Sequence, residues 1–365
     1  MADPYRVGII ASGRIAREHG RGWTECERTQ IAAIADIHPQ ALAEYGQEFG
    51  VDKHYRDYRE MLDREHLDIV SVCSWDPQHA EMTVAAAARR PKAILSEKPM
   101  ATSLAEADAM VVACQRNGVK LAVGHQRRFY SAWQEARRLL AEGAVGQPRR
   151  LWSTVLQGML NWGTHCVDLQ LFVQGDPQAA WVMGNVERKT DHYIFGRRVE
   201  DRCVGVIGYP GGVEGVIENE MGTWGGINCS VYGTDGMMEI SENSLKYMTR
   251  EQADWQEFRP TEEETRGYGN AFVQQANAIC DWIEGKIDPY PGEGKRGRAA
   301  LEIMLGVYES ARMHERVALP LQTRADPLDL AVESGAIPVQ RPGKWDERSF
   351  LVRGEAMSWV EVHGG

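Results

Sequence analysis

Arg6-Val7-Gly8-Ile9-Ile10-Ala11-Ser12-Gly13-Arg14-Ile15-Ala16 is the stretch whose reading decides the fold. Its first half is nearly all apolar, as a strand covered on both faces must be. Its second half is a variant of the Gly-x-Gly-x-x-Gly/Ala turn, which brings backbone close to a pyrophosphate at the N-terminus of the next helix. Ala11 stands where that pattern has its first glycine, and its β-carbon narrows the allowed backbone, whereas Gly13 keeps the position nearest the phosphates. Asp36 closes the next apolar run about 20 residues past the turn, where a carboxylate accepts from ribose hydroxyls. Ala11, Ser12, Gly13, Arg14, Ile15 and Asp36 are therefore expected to hold a dinucleotide. The alternative is that Gly13 and Ala16 only let a helix pack tightly on a strand and that Asp36 caps a loop.

Further apolar runs follow at 30–35, 68–73, 93–96 and 120–124, with helical stretches between them, the order of a parallel sheet with crossover helices. Pro39 and Gly50 bracket one of these helices, and the capping-box spacing Ser103-x-x-Glu106 with Gly118 brackets another. From about residue 131 the pattern changes. Ser131 opens another helix, Gly146-Gln147-Pro148 breaks it, and strand-like stretches at 150–156, 180–187, 202–209, 213–220 and 227–233 predict a largely antiparallel sheet. Pro210-Gly211-Gly212 is a hairpin signal between two of them. Helical periodicity returns at 271–284 and 296–312. A short helix is expected at 325–337, then an extended arm at 342–345 and 357–362 that packs on a neighbouring subunit, rims a cleft, or straps its own chain. The expected division is residues 1–125, 126–321 and 322–365.

The 365 residues are enough for two domains at about 150 each, and 43% hydrophobic with 25% charged is the balance of a compact globular chain. A net charge of −11 opposes binding to phosphate backbones and anionic membranes, so neither nucleic acid nor a membrane is an expected partner. The opening residues lack the basic lead and apolar run of an export signal, and a cytoplasmic location is expected. Seven scattered cysteines without a Cys-x-x-Cys suggest neither a disulfide framework nor a zinc site.

Ser74-Trp75-Asp76-Pro77-Gln78-His79 follows the third run, at the carboxyl edge where open α/β sheets bind ligands. Ser74, Trp75 and His79 are candidate cofactor contacts there, with a plain helix-start residue the equal alternative for His79. Glu97-Lys98-Pro99 ends the fourth run at the same edge, and the proline holds the preceding backbone extended, so Lys98 points at the presumed cleft. Asn161-Trp162-Gly163-Thr164-His165-Cys166-Val167-Asp168 leads into a helix with His165 in its first turn. The positive end of the helix dipole disfavours imidazolium, so His165 is expected to be neutral and able to accept a proton. Asp168 shares its face and can orient the ring; the alternative is a capping His and an Asp satisfying backbone donors. No third ligand lies nearby in sequence, so no metal is expected. Trp162 and Trp224 offer flat apolar walls to a sugar ring, and Lys295-Arg296-Gly297-Arg298 reads as a solvated face. Asp36 is followed by Ile37 and His38 with no adjacent Lys or Arg, which favours NAD over NADP, Arg14 being the group able to swing toward a 2′-phosphate.

Together the nucleotide turn, Asp36, Glu97-Lys98-Pro99, Gly124-His125-Gln126-Arg127-Arg128 and Gly163-x-His165-x-x-Asp168 resemble the glucose/fructose oxidoreductase, inositol dehydrogenase and rhizopine-catabolism family, Gfo/Idh/MocA, over about residues 5–321. The resemblance implies an N-terminal doubly wound Rossmann domain and a C-terminal α/β domain whose large, mostly antiparallel open sheet often mediates oligomers, here a homo-dimer or tetramer. It also implies NAD(P)-dependent oxidation of a secondary alcohol of a sugar, sugar derivative or cyclitol. By position, Lys98 resembles the lysine that contacts the reacting hydroxyl and His165 the histidine that exchanges its proton. Gln126 and Arg127 fall where the family lines its cleft. Glu97, Lys98 and Gln126 are thus expected at the cofactor, and Lys98, Arg127, Asn161, Trp162 and His165 at the substrate. Asn161 departs from the family, many members of which carry Asp one turn before the His; an amide positions a hydroxyl but does not shuttle a proton. The resemblance also admits a redox-neutral sugar-processing enzyme with tightly bound NAD, and the nucleotide turn alone a non-catalytic NAD-binding sensor.

Overall fold

The computed structural model describes residues 3–191, 193–222, 226–261, 268–337 and 341–342. Strands β1 (Tyr5–Ile10), β2 (Thr29–Ala35), β3 (His54–Tyr55), β4 (Ile69–Val72), β5 (Ala93–Ser96) and β6 (Lys120–Val123) form a parallel sheet in the order β3-β2-β1-β4-β5-β6. Helices α1 (Arg14–Glu25), α2 (Pro39–Phe49), α3 (Tyr58–Arg64), α4 (His79–Ala87) and α5 (Leu104–Asn117) connect them. The strand order reverses between β1 and β4, which opens a crevice at the carboxyl ends of the strands. The expected apolar runs are all present, and β3 joins them at the edge, its two residues too short to register as a periodic run.

After α6 (Ser131–Ala141) the chain enters a second layer. Its elements are β7 (Pro148–Val155), α7 (Thr164–Val173), β8 (Trp181–Glu187), β9 (Thr190–Asp191), β10 (Tyr193–Ile194), β11 (Arg197–Arg198), β12 (Arg202–Gly208), β13 (Glu214–Asn219), β14 (Asn228–Gly233), β15 (Gly236–Ser241), β16 (Leu245–Thr249), β17 (Gln256–Phe258), α8 (Tyr268–Ile283), α9 (Gly294–Met313) and β18 (Val317–Ala318). A nine-stranded sheet runs β17-β16-β15-β14-β7-β13-β12-β8-β18, antiparallel except for the β7–β13 pair. The β12–β13 hairpin closes through Gly211 and Gly212 at φ 74° and 76°, a left-handed backbone that a side chain would strain. Strands β15 to β17 go beyond the sequence expectation; they lie toward the sheet edge, where Met238, Ile240 and Leu245 are the buried side chains.

Helix α8 returns to the first sheet, so Ala271, Ala276, Ile279 and Cys280 share one core with Val7, Ile9 and Trp23. Arg28 fixes it in place, with Nη1 2.6 Å from Asp281 and Nη2 donating to the Asn277 carbonyl at 2.8 Å. Arg296 and Arg298, expected on a solvated face, are instead half-buried and paired with Asp176 at 3.3 Å and Asp108 at 2.6 Å. All seven cysteines are buried and free of disulfides. In the tail, α10 (Pro327–Glu333) lies inside the expected 325–337 helix, and β19 (Arg341–Pro342) pairs with β9 of the same chain, as a strap would. The rest of the expected arm, residues 343–345 and 357–362, lies outside the described residues.

A β-carbon on Gly22 would sit 2.8 Å from the Phe272 carbonyl carbon, so Gly22→Ala must push α8 off α1. A loss of about 1–3 kcal/mol in urea unfolding is expected, as for other overpacked cores; unchanged stability would show that α8 is not seated there.

Candidate active site

The crevice begins at the turn after β1. Ala11 adopts φ 71°, the left-handed backbone that the missing glycine would have taken without strain. Gly13 caps α1 with no side-chain hydrogen bond, so its side chain shields none of the N–H groups of the first turn, and a β-carbon built on Gly13 meets nothing within 4 Å. An open space thus faces a positive helix end, the setting in which an anion binds. Asp36 at the end of β2 holds this turn: Oδ2 accepts from the Ser12 amide at 2.7 Å and hydroxyl at 2.8 Å, and Oδ1 accepts from the His38 amide at 2.8 Å. Ser12 is accordingly buried and spends its donors on Asp36 rather than on a ligand. Arg14 is exposed and Ile15 half-buried beside the space.

At the ends of β4 and β5, His79 is fully buried, with Nδ1 2.8 Å from the Pro99 carbonyl oxygen and Nε2 2.8 Å from that of Ser74. Expected as a cofactor contact, it has both ring nitrogens against backbone and ties the β4 loop to the segment after Lys98. Glu97 likewise turns inward. Its Oε1 lies 2.8 Å from His19 Nε2 and its Oε2 accepts from the Lys98 amide at 3.1 Å. His19 Nδ1 lies 2.7 Å from the Ser71 hydroxyl. Burial alone would push the His19 pKa down, but the Cys73 sulfur and the Glu97 carboxylate outweigh it and raise it to about 10. Burial pushes Glu97 the other way, and His19 overcomes it and holds the carboxyl below its usual range. The two form a buried ion pair behind the lysine. His19 went unnoticed in the sequence, although Ala16, His19, Gly20 and Trp23 form the buried stripe of α1 and a histidine in such a stripe is a signal.

Lys98 extends toward the second layer and donates from Nζ to Asn161 Oδ1 at 3.3 Å. Burial is the main force lowering its pKa; Glu97 and Asp76 act to raise it, and Arg127 and Arg197 to lower it. Asn161 and Trp162 sit in a π-helical turn, Met159–Gly163, that runs into α7. The buried carboxylate of Glu200 props that turn, with Oε1 accepting from the Met159 amide at 2.6 Å. His165 is in the first turn of α7 and 3% exposed; burial, then the charges of Arg127 and Lys98, hold its pKa well below 6.5. Its Nδ1 has no hydrogen-bond partner among the described residues. Asp168, expected to orient His165, instead forms a two-pronged pair with Arg128, at 2.7 and 2.8 Å, and lies 3.2 Å from His125 Nδ1. A guanidinium fork is the stronger competitor for a carboxylate.

Two further pieces close the crevice. The β10–β11 hairpin brings Arg197 to Asp76, Nε to Oδ2 at 2.5 Å, and Phe195 edge-on to Trp75 at 6.3 Å between ring centroids. Arg127 and Gln126 follow β6, with Arg127 Nε 2.6 Å from Glu242 and Gln126 almost fully buried. Ser74 Oγ, Ser96 Oγ and Gln126 Oε1 join His165 Nδ1 as buried atoms without partners among the described residues. Open space at an uncapped helix end, a carboxylate at the end of β2 and unspent polar atoms along the crevice all suit a dinucleotide. No group of His, Cys, Asp and Glu fit to hold a metal occurs among the described residues. Trp224 lies outside them.

Residues 5–125 match the family described as an oxidoreductase family with an NAD-binding Rossmann fold, and residues 157–239 match the GFO/IDH/MocA C-terminal domain. The chain is 36% identical over 151 residues to a D-apiose dehydrogenase of Paraburkholderia graminis, an alignment covering 41% of this chain and 40% of that protein. It is 27% identical over 249 residues to a myo-inositol 2-dehydrogenase of Thermotoga maritima, covering 64% and 72%. A levoglucosan dehydrogenase solved with NADH and levoglucosan superposes with a TM-score of 0.76 at 20% identity, covering 87% of this chain and all of the other, and so shares its fold.

Because His19 is raised from 6.5 to about 10 in the folded chain, its contribution to stability is complete below pH 6.5 and is lost as pH rises toward 10. Unfolding free energy should fall across that window by up to about 1.4 kcal/mol per pH unit, and His19→Gln should lack that slope. Parallel pH profiles for the two proteins would contradict the buried pair.

Proposed function

The chain belongs to the Gfo/Idh/MocA family of oxidoreductases, and from that premise we propose that it is an NAD-dependent dehydrogenase acting on a secondary alcohol of a sugar, sugar derivative or cyclitol. The observation that carries this reading is the convergence, at the open end of a dinucleotide crevice, of a cationic Lys98, the Asn161 amide and a neutral His165. When bound, the nicotinamide supplies the hydride acceptor. Lys98 binds the reacting hydroxyl and, as an ammonium, stabilises the negative charge that grows on its oxygen. His165 takes the hydroxyl proton on a ring nitrogen, a role that needs the neutral form its surroundings enforce. Asn161 fixes the ammonium through Oδ1 and leaves its NH₂ group to position a second hydroxyl. Burial of these groups keeps bulk water from competing for them. Trp162, half-buried beside Asn161, offers an apolar wall to the ring.

NAD is preferred over NADP in this reading. A 2′-phosphate would meet the Asp36 carboxylate, next to which stand exposed Ile37 and half-buried His38 rather than a Lys or Arg. The sheet face carrying exposed Trp152, Met183 and Tyr232 is proposed as the surface on which copies of the chain associate.

Oxidation of a sugar and cyclitol panel with NAD, read as the absorbance of reduced nicotinamide, should reveal at least one substrate; no NADH from any of them would contradict a net dehydrogenase. Lys98→Ala should lower kcat by about a hundred- to a thousandfold while NAD affinity stays within about twofold. Unchanged turnover would remove Lys98 from the chemistry.

A further inference from the structure

Asn161 leaves Lys98 as a cation with no carboxylate of its own. Among the described residues its ammonium has one hydrogen-bond partner, the neutral Asn161 Oδ1. The carboxylates whose charge reaches it are Glu97 and Asp76, and each is already matched by a cation, Glu97 by His19 at 2.8 Å and Asp76 by Arg197 at 2.5 Å. Arg127, the cation facing it from beyond β6, is matched by Glu242 at 2.6 Å. From α7 His165 contributes no charge, and His125, also held below its ordinary pKa by burial, contributes none either. The cluster therefore carries one positive charge in excess.

Arg197 adds unspent donors to that field. It is 4% exposed, and beyond its Nε bond to Asp76 neither Nη1 nor Nη2 has a hydrogen-bond partner among the described residues. The other carboxyls near it are engaged elsewhere. Glu200 accepts from the Met159 amide, Asn219 and the Tyr308 hydroxyl, and Asp326 accepts from the Leu328 amide. Burial raises the pKa of both, which favours their neutral forms. A cation taken out of water without a counter-ion is costly, and a ligand that brings the missing charge recovers that cost. An oxidised nicotinamide, itself positive, would deepen the excess.

Resting on the dehydrogenase reading above, we propose that the substrate is an anionic polyol, a sugar acid of the uronate or aldonate class, whose carboxylate supplies the counter-charge that Lys98 lacks and offers acceptors to the unspent Nη1 and Nη2 donors of Arg197. The departure from Asp at position 161 is then a specificity device. An aspartate there would neutralise Lys98 and suit an uncharged sugar; the amide keeps the positive field for an acid.

Calorimetric titration of the NADH-loaded chain with matched pairs, D-glucuronate against D-glucose and D-galacturonate against D-galactose, with D-gluconate as the open-chain acid, tests this. At least one acid should bind tenfold or more tighter than the neutral sugars. Asn161→Asp, nearly isosteric, should erase or reverse that preference, and Lys98→Gln should erase it. Equal or tighter binding of the neutral sugars, binding by no acid, or an acid preference that survives both substitutions would overturn the proposal. NADH production is scored separately with NAD. Acid-selective binding without NADH leaves the anionic ligand standing and contradicts the dehydrogenase; NADH from neutral sugars alone does the reverse.

Discussion

Lys98 is held where two sheets meet, with water largely removed and the carboxylates around it already paired, and most of the local architecture serves to keep it there. Its backbone is fixed from behind by Glu97, which accepts from its amide and is itself anchored by His19 on α1. Its side chain is fixed from in front by Asn161, in a turn propped by Glu200. The same helix α1 that supplies His19 begins at the uncapped Gly13. One element thus joins the uncapped helix end of the crevice to the base of the lysine.

The balance of charge matters more than the number of contacts. Surface ion pairs such as Arg59 with Asp57 contribute about 0–1 kcal/mol. Removing one partner of a buried pair costs about 3–5 kcal/mol, because the other charge is stranded. His19 with Glu97, Arg197 with Asp76 and Arg128 with Asp168 are of the second kind. They neutralise one another and leave the field in the crevice to Lys98. His165 is neutral for the same reason: burial and neighbouring cations oppose a second positive charge. A cation that can stabilise an alkoxide and a base that can take its proton follow from one electrostatic arrangement.

What was legible in the sequence was local. The strand, turn and helix of residues 6–16, the lysine at the end of β5 and the histidine opening α7 each depend on neighbours a few positions away, so spacing alone located them. Asp76 and Arg197 are 121 positions apart, and only the course of the β10–β11 hairpin brings them together. Asp168 shows how local reasoning fails: it does share a helix face with His165, but Arg128, brought in from the end of β6, offers a stronger partner. His79 and Ser12 fail similarly, since a position at the ligand edge does not say whether a side chain faces the ligand or buttresses the loop. The nine-stranded sheet was legible through β14 and blurred toward its edge, where β15 to β17 are only partly buried and their alternation is weak.

A crystal structure of the chain with NADH tests the central claim most directly. The account predicts the pyrophosphate against the Gly13 amide at the start of α1, a ribose within reach of Asp36, and the nicotinamide beside Lys98 on the side of His165. A dinucleotide bound elsewhere, or a nicotinamide turned away from Lys98 with Asn161 and His165 on the far side of a filled gap, would contradict it.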